Sequence, residues 1–300
     1  MLSVVLCTHN PRLDYIQRCL GALRNQTLAS HQWEMLLVDN RSDELISDRI
    51  DVAWHAQARI IREETLGLTA ARLRGIREAK GNLLVFVDDD NILDPDFLNV
   101  ALRTMEEKPF LGSWSGQCHP EFETTPPEWT RRYWGNLVIR EFHRDVWSNL
   151  PRLPESMPCG AGLCVRREVA LRYVDLHESG KRPFQLDRNG KSLLSGGDND
   201  LAACACDVGL GVGLISSLKL THLISAERLT EDHLARLCEG IYRSAVLLDH
   251  LRSPGVAAHL YKIRWHEPVL ALFSSGPHRK MKFASLRGRR RGLKLIDSLN

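Results

Sequence analysis

Apolar residues in the first hundred positions follow two alternating rhythms. Residues 3–7 (SVVLC), 33–39 (WEMLLVD), 58–63 (ARIIRE) and 83–87 (LLVFV) are short apolar runs rich in Val, Ile and Leu, the pattern of strands buried on both faces. Between them, residues 15–26 place Ile16, Leu20 and Leu23 at helical spacing, and residues 69–81 (TAARLRGIREAKG) read as a helix with Gly81 as its C-terminal cap. Asp94-Pro95 reads as an N-cap and first helical position opening a helix to about Glu106. Such alternation predicts an α/β fold with a mostly parallel central sheet flanked by helices. Ligands bind beyond the carboxyl ends of strands in these sheets. Thr8-His9-Asn10, Asp39-Asn40 and Asp88-Asp89-Asp90 each follow a strand, so they should meet on one edge.

The rhythm then weakens. Residues 112–158, whose segment 113–135 holds three tryptophans and a proline pair, show little periodicity, and suit an acceptor-binding stretch or a mobile lid. Residues 198–209 (DNDLAACACDVG) read as a helix ending near Gly209. Thr230 reads as the cap of a longer helix with Leu234, Leu237, Ile241 and Ala245 on one face.

At 300 residues and 43% hydrophobic, the chain can bury one large domain or two lobes. Its eight cysteines form no CxxC pair, which suggests buried thiols in a reducing compartment. No run approaches the about 18–20 apolar residues of a membrane span. Met1 leads straight into the first strand without a secretory leader, so a cytoplasmic location is expected. The net charge of +3 is uneven: residues 279–294 (RKMKFASLRGRRRGLK) carry eight basic side chains and no acid, and removing them leaves −5. A mildly acidic body argues against a nucleic-acid partner. The tail is either a solvated terminus or a peripheral contact with anionic lipid on the inner face of the membrane.

The chemistry centres on LLVFVDDDN, residues 83–91. Three carboxylates at the mouth of a buried strand repel one another and resist desolvation. A divalent cation bridging to substrate phosphate would relieve this; an exposed Asp-rich turn is the plainer alternative. Other segments add to the picture in order: VVLCTHNP, LLVDNRSDE, GLTAARLRGIREAKGNLLVFVDDDN, CGAGLCVRREVA, SGGDNDLAACACDVG and LKLTHLI. Together, over roughly residues 1–225, they resemble a family 2 glycosyltransferase of the GT-A fold. Three positions depart from that family's pattern: Gly197 stands where a Glu precedes the Asp, Arg74 replaces an Asn, and Arg41 follows Asn40.

The resemblance implies a nucleotide-sugar-binding half (1–110), an acceptor-binding half (111–225) and a C-terminal helical extension with a basic tail (226–300). It implies Asp90 and His222 as ligands of Mn²⁺ or Mg²⁺, with Asp88 and Asp89 contacting donor or metal-bound water. It implies Thr8, His9 and Asn10 around the base, and Asp39 accepting from a uracil or thymine imide, where an Asx turn is the structural alternative. Arg72 and Arg228 are candidates for phosphate, Trp114 and Gly160 for the sugar pocket. Asp198 is the candidate base that deprotonates an acceptor hydroxyl, with Asp200 on the acceptor side; a plain N-cap is the other reading of Asp198. One base without a covalent nucleophile implies inversion at the anomeric carbon. The implied partners are a UDP- or dTDP-sugar and a glycan or lipid-linked acceptor in surface polysaccharide synthesis. Two other readings remain: a sugar-nucleotide nucleotidyltransferase, and a non-catalytic module that binds nucleotide sugars.

Overall fold

The computed structural model describes residues 1–151, 153–190 and 192–298. Positions 152, 191, 299 and 300, which fall in the expected acceptor-binding half and C-terminal extension, lie outside the described residues. The seven residues of β1 (Leu2–Thr8) are all buried, and α1 (Leu13–Arg24) covers them with Ile16, Cys19, Leu20 and Leu23. Next come β2 (Trp33–Asp39), β3 (Ala58–Arg62), α2 (Leu68–Glu78) and β4 (Leu83–Asp88). β1 lies parallel between β2 and β4, and β3 flanks β2. The register sets Thr8 opposite Asp39, Cys7 opposite Asp88, and Asp39 opposite Arg62. Both faces of these strands are covered, so their residues need no alternation of polarity.

Two glycines on α2's side are steric. A Cβ on Gly75 would stand 2.3 Å from Val5 Cγ1, and one on Gly81 would stand 2.6 Å from Ser3 N. Gly81 is therefore not the cap expected of it: α2 ends with Ala79 in the cap position, and Gly81 lets the chain pass close to β1. The next helix also starts later than its proline suggested. Asp94-Pro95 forms a turn in which the Asp94 carbonyl accepts from Phe97 N at 3.0 Å, and α3 runs Phe97–Glu107.

The later strands add antiparallel pairs. β5 (Asn91–Leu93), β6 (Leu111–Phe122), β7 (Val146–Ser148), β8 (Leu163–Arg166) and β9 (Gly211–Ile224) join the first four in a sheet ordered β3-β2-β1-β4-β8-β6-β9-β5, with β7 on β9. β8 pairs antiparallel with β4 and β6, and β5 pairs antiparallel with β9, which sets Asn91 opposite His222. Helices α4 (Arg167–Glu178) and α5 (Gly197–Asp207) follow β8, and Gly209 beyond α5 takes the left-handed φ of +81° expected at a helix end.

Contacts divide the chain into two units. One comprises Met1–Glu121, Val138–Lys181 and Asp198–Leu223; the other comprises Phe122–Leu137, Arg182–Gly197 and the chain from Ile224 onward. The second unit is built on α6 (Glu231–Arg252), α7 (Val256–Leu260), α8 (His266–Leu272) and α9 (Gly276–Asp297). Thr230 caps α6 as expected, accepting from His233 N at 3.3 Å. The basic run is not a loose tail. It forms α9, which buries Met281, Ala284, Gly288, Gly292 and Ile296. A Cβ on Gly288 would lie 2.3 Å from Glu239 O, and one on Gly292 2.7 Å from Val246 Cβ, so these glycines let α9 lie close on α6. Half of its cations are spoken for: Lys280 pairs with Asp232, Arg287 and Arg291 with Glu239, and Arg289 with Glu267. Seven of the eight cysteines are buried and all are free thiols. Among the described residues, no helix is long and apolar enough to cross a membrane.

Candidate active site

The carboxyl edge of β1 and β2 is held by short polar links. Asn40 N donates to Thr8 O (2.8 Å), and the His9 ring nitrogen Nδ1 meets Asn40 O at 2.9 Å. Asn10, in the left-handed region at φ 48°, donates from its side chain to Asp43 Oδ2 (2.9 Å) and accepts from Asp43 N (2.8 Å). Asp39 is 2% exposed. Its Oδ1 closes an Asx turn with Ser42 N at 2.9 Å, and its Oδ2 accepts from Arg62 Nη1 at 2.7 Å. Burial pushes its carboxyl up, but the Ser42 hydrogen bonds and the Arg62 guanidinium outweigh this and hold it below the usual range. The Asx turn and the candidate base contact are compatible, because each carboxylate oxygen has two lone pairs.

The acid triplet sits beside this edge. Thr8 Oγ1 donates to Asp89 Oδ2 at 2.5 Å. Asp90 Oδ1 accepts from Asn91 Nδ2 at 2.9 Å, and Asp90 Oδ2 lies 3.2 Å from His222 Nε2. This contact follows from pairing: Asn91 stands opposite His222 across β5 and β9. The backbone adds a bond from Leu223 N to Asp90 O at 2.9 Å. Two residues 132 positions apart are thus joined by an antiparallel ladder. Beneath them, Cys19 Sγ approaches Asp88 O at 3.6 Å. Its thiol is pushed well up by burial and by the charges of Asp89, Asp90 and Asp88, and remains protonated.

A second group forms around Gly160. Its N–H donates to Asp198 Oδ2 at 2.7 Å, while Asp198 Oδ1 accepts from Asn199 N at 2.9 Å. A Cβ at position 160 would stand 3.0 Å from both Arg72 Nη2 and Asp198 Oδ2. Three candidates from distant segments therefore converge on one point. Asp200, two residues further along α5, is fully buried.

Other candidates fall elsewhere. Trp114 is fully buried in the core of the first unit, its Nε1 without a hydrogen-bond partner. It was expected as a wall of the sugar pocket; its strand position turns it into the core, where it offers no face to a ligand. Arg228 lies in a short 3-10 helix (Ala226–Leu229) of the second unit. That unit also contains an open cavity of about 440 Å³ lined by Glu128, Trp129, Arg131, Arg132 and His278.

Four participants carried no signal in the site reading of the sequence. Arg62 and Ser42 brace Asp39, Asn91 braces Asp90, and Asp187 stands at Gly197. The Asp187 Oδ1 accepts from Gly197 N at 3.2 Å, and a Cβ on Gly197 would lie 2.1 Å from Asp187 Oδ2. The departure from the Glu-Asp pair thus leaves a space that a carboxylate from ten residues upstream occupies. Strand-end position would have found Arg62; nothing in the sequence pairs Asp187 with Gly197.

A parallel sheet carrying acids on its carboxyl edge, continued by antiparallel strands that return a histidine to them, is the GT-A glycosyltransferase fold. The crystal structure of TarS residues 1–349 from S. aureus shares it: TM-score 0.53, 13% identity, covering 100% of this chain and 92% of that one. Residues 3–170 match the family described as Glycosyl transferase family 2, and the chain belongs to that family. Glycosyltransferase AglE of Haloferax volcanii is 34% identical over 92 residues, which are 30% of this chain and 30% of AglE. Validoxylamine A glucosyltransferase of Streptomyces hygroscopicus subsp. jinggangensis is 30% identical over 171 residues, 52% of this chain and 38% of that protein. The chain spans about a third of the length of the curated relatives it matches.

Proposed function

We propose that the protein is a metal-dependent, inverting glycosyltransferase that moves a sugar from a UDP- or dTDP-sugar to a hydroxyl of a glycan or lipid-linked acceptor. The observation that carries this reading is the 3.2 Å contact of Asp90 with His222, on an edge that also holds Thr8, Asp39 and Asp89. A carboxylate oxygen beside an imidazole nitrogen suits Mn²⁺, and Mg²⁺ also fits. Among the described residues no group of three His, Cys, Asp or Glu side chains stands ready for a metal. Asp90 and His222 would therefore share the ion with substrate phosphate and water, as hard divalent ions commonly require. Bound there, the ion would offset the charge that develops on a leaving diphosphate.

The chain's own groups divide the remaining work. Asp39 offers an acceptor-only edge to a pyrimidine imide. Arg72 offers a guanidinium suited to a phosphate oxygen. Asp198, oriented by two backbone amides, takes the proton of the attacking hydroxyl. TarS has been solved in complex with UDP-GlcNAc, which supports a donor of that class. The cavity at Trp129, Arg131 and Arg132 has an aromatic wall and two cations suited to a glycan acceptor. With this goes contact with anionic lipid through the exposed cations of α9, consistent with a peripheral position on the inner face of the membrane. Calorimetry of UDP-GlcNAc, dTDP-glucose and GDP-mannose, each with and without Mn²⁺, tests the reading. Metal-dependent binding of a pyrimidine donor is expected. Equal affinity for the guanine donor, or none for any, would overturn it. Donor binding without transfer or slow hydrolysis would favour a binding module.

A further inference from the structure

The most exposed large apolar side chains among the described residues are Trp265 and Phe273, each 84% exposed. They bracket α8, and both continue its right-handed helical backbone. Trp265, Val269, Leu272 and Phe273 therefore stand at i, i+4, i+7 and i+8, the spacing of one helix face. That face points outward: Val269 is 44% and Leu272 60% exposed, whereas Ala271 is buried. Glu267 anchors the inner side through Arg289, 2.5 Å away. An amphipathic helix that turns its apolar side to solvent is unpartnered, and such patches mark docking surfaces.

Charge identifies the occupant. Residues 251–296 contain eleven Lys or Arg and one acid, Glu267, which Arg289 already neutralises. Lys262, Arg264, Arg279, Lys282, Arg290 and Lys294 are exposed and form no ion pair among the described residues. A second copy would bring the same positive charge and be repelled. Trp and Phe on an apolar face, set in a field of unneutralised cations, suit the headgroup region of an anionic bilayer.

We propose that α8 is a membrane-docking element: Trp265, Val269, Leu272 and Phe273 enter the headgroup–acyl boundary of an anionic membrane while the surrounding cations meet lipid phosphates. This rests on the lipid contact proposed for α9 and names the apolar element that the basic helix lacks.

The test is flotation of the full chain with vesicles of phosphatidylcholine alone or mixed with phosphatidylglycerol. Two variants are compared: Trp265→Ser/Phe273→Ser and Arg279→Gln/Lys282→Gln/Arg290→Gln/Lys294→Gln. The parent should float with the mixed vesicles, and the Ser variant should lose roughly tenfold or more in partitioning. Both positions are solvent-exposed, and an unchanged thermal melt confirms the fold. If the Ser variant floats like the parent while the Gln variant does not, α8 is excluded and the α9 contact stands. If only the Ser variant fails, α8 docks without the α9 charges. A parent that ignores anionic vesicles overturns the proposal. So does a concentration-dependent dimer that the Ser variant abolishes, because the face then belongs to a second copy.

Discussion

At the residue scale, two contacts connect segments far apart in sequence. Asp90 and His222 form the proposed metal pair, so Asp90→Asn should abolish Mn²⁺-dependent binding of nucleoside diphosphate and nearly all transfer. Calorimetry checks this, and unchanged metal-dependent affinity would remove Asp90 from the ligand set. Asp198 and Asp200 are separable because two steps on a helix turn about 200°. Asp198 meets the Gly160 amide and Asp200 is buried in α5. Asp198→Asn should therefore retain donor affinity and lose roughly 10²–10⁴ in single-turnover rate. Asp200→Asn should show its effect mainly in thermal stability. If the rates fall the other way round, the roles are exchanged. A third test concerns Gly197, where a Cβ would press on the Asp187 carboxylate at 2.1 Å. Gly197→Ala should destabilise by about 1–3 kcal/mol, the usual cost of overpacking, and should cost much less in an Asp187→Ala background. Additive denaturation midpoints would show that Asp187 does not fill that space.

At the element scale, α9 changes the meaning of its own sequence. Its eight cations suggested a solvated or lipid-bound terminus, yet its small residues seat it on α6 and four of its cations meet acids on α6 and α8. Deleting it would uncover α6, so charge substitutions are the cleaner probe of lipid contact. The link to α8 has a pH signature. The Arg289 hydrogen bond, the largest influence, pulls the Glu267 carboxyl down to about 2. A depressed folded value means that this stabilisation is full above the ordinary glutamate range and is lost as pH falls from there toward 2. Glu267→Gln should therefore lower stability near neutral pH, by on the order of 1–3 kcal/mol. The difference from the parent should shrink on acidification below about pH 4.5. A pH-independent difference in denaturant midpoint would assign the effect to something other than this ion pair.

At the scale of the whole molecule, the first unit carries the sheet edge with its acids, and ligand binding there should be read globally. A donor with Mn²⁺, present at 100 times its dissociation constant, should stabilise the folded chain by about 2.7 kcal/mol. Melting curves should show a shift with both together and little with either alone. A full shift from nucleotide sugar without metal would argue for binding that bypasses Asp90 and His222.

Local patterning determined the four parallel strands, the two helices between them and the placement of Thr8, Asp39 and Asp88 at strand ends, because burial on both faces leaves a continuous apolar run that needs no distant information. Motif order likewise carried the family and the acid triplet. Hydrophobic rhythm does not encode pairing direction, so the antiparallel return of β8, β5 and β9 had to come from the folded chain, and with it the meeting of Asp90 with His222. Nor does it encode which side of a strand faces inward, and only the folded chain shows Trp114 fully buried in the core. Small residues are equally silent: Gly81, Gly197, Gly288 and Gly292 are explained by the atoms that would strike a Cβ, and those atoms belong to other elements. The outward face of α8 is the same kind of fact. Its periodicity is that of any core helix, and only the exposure of Trp265 and Phe273 in the folded protein separates a docking surface from a buried one.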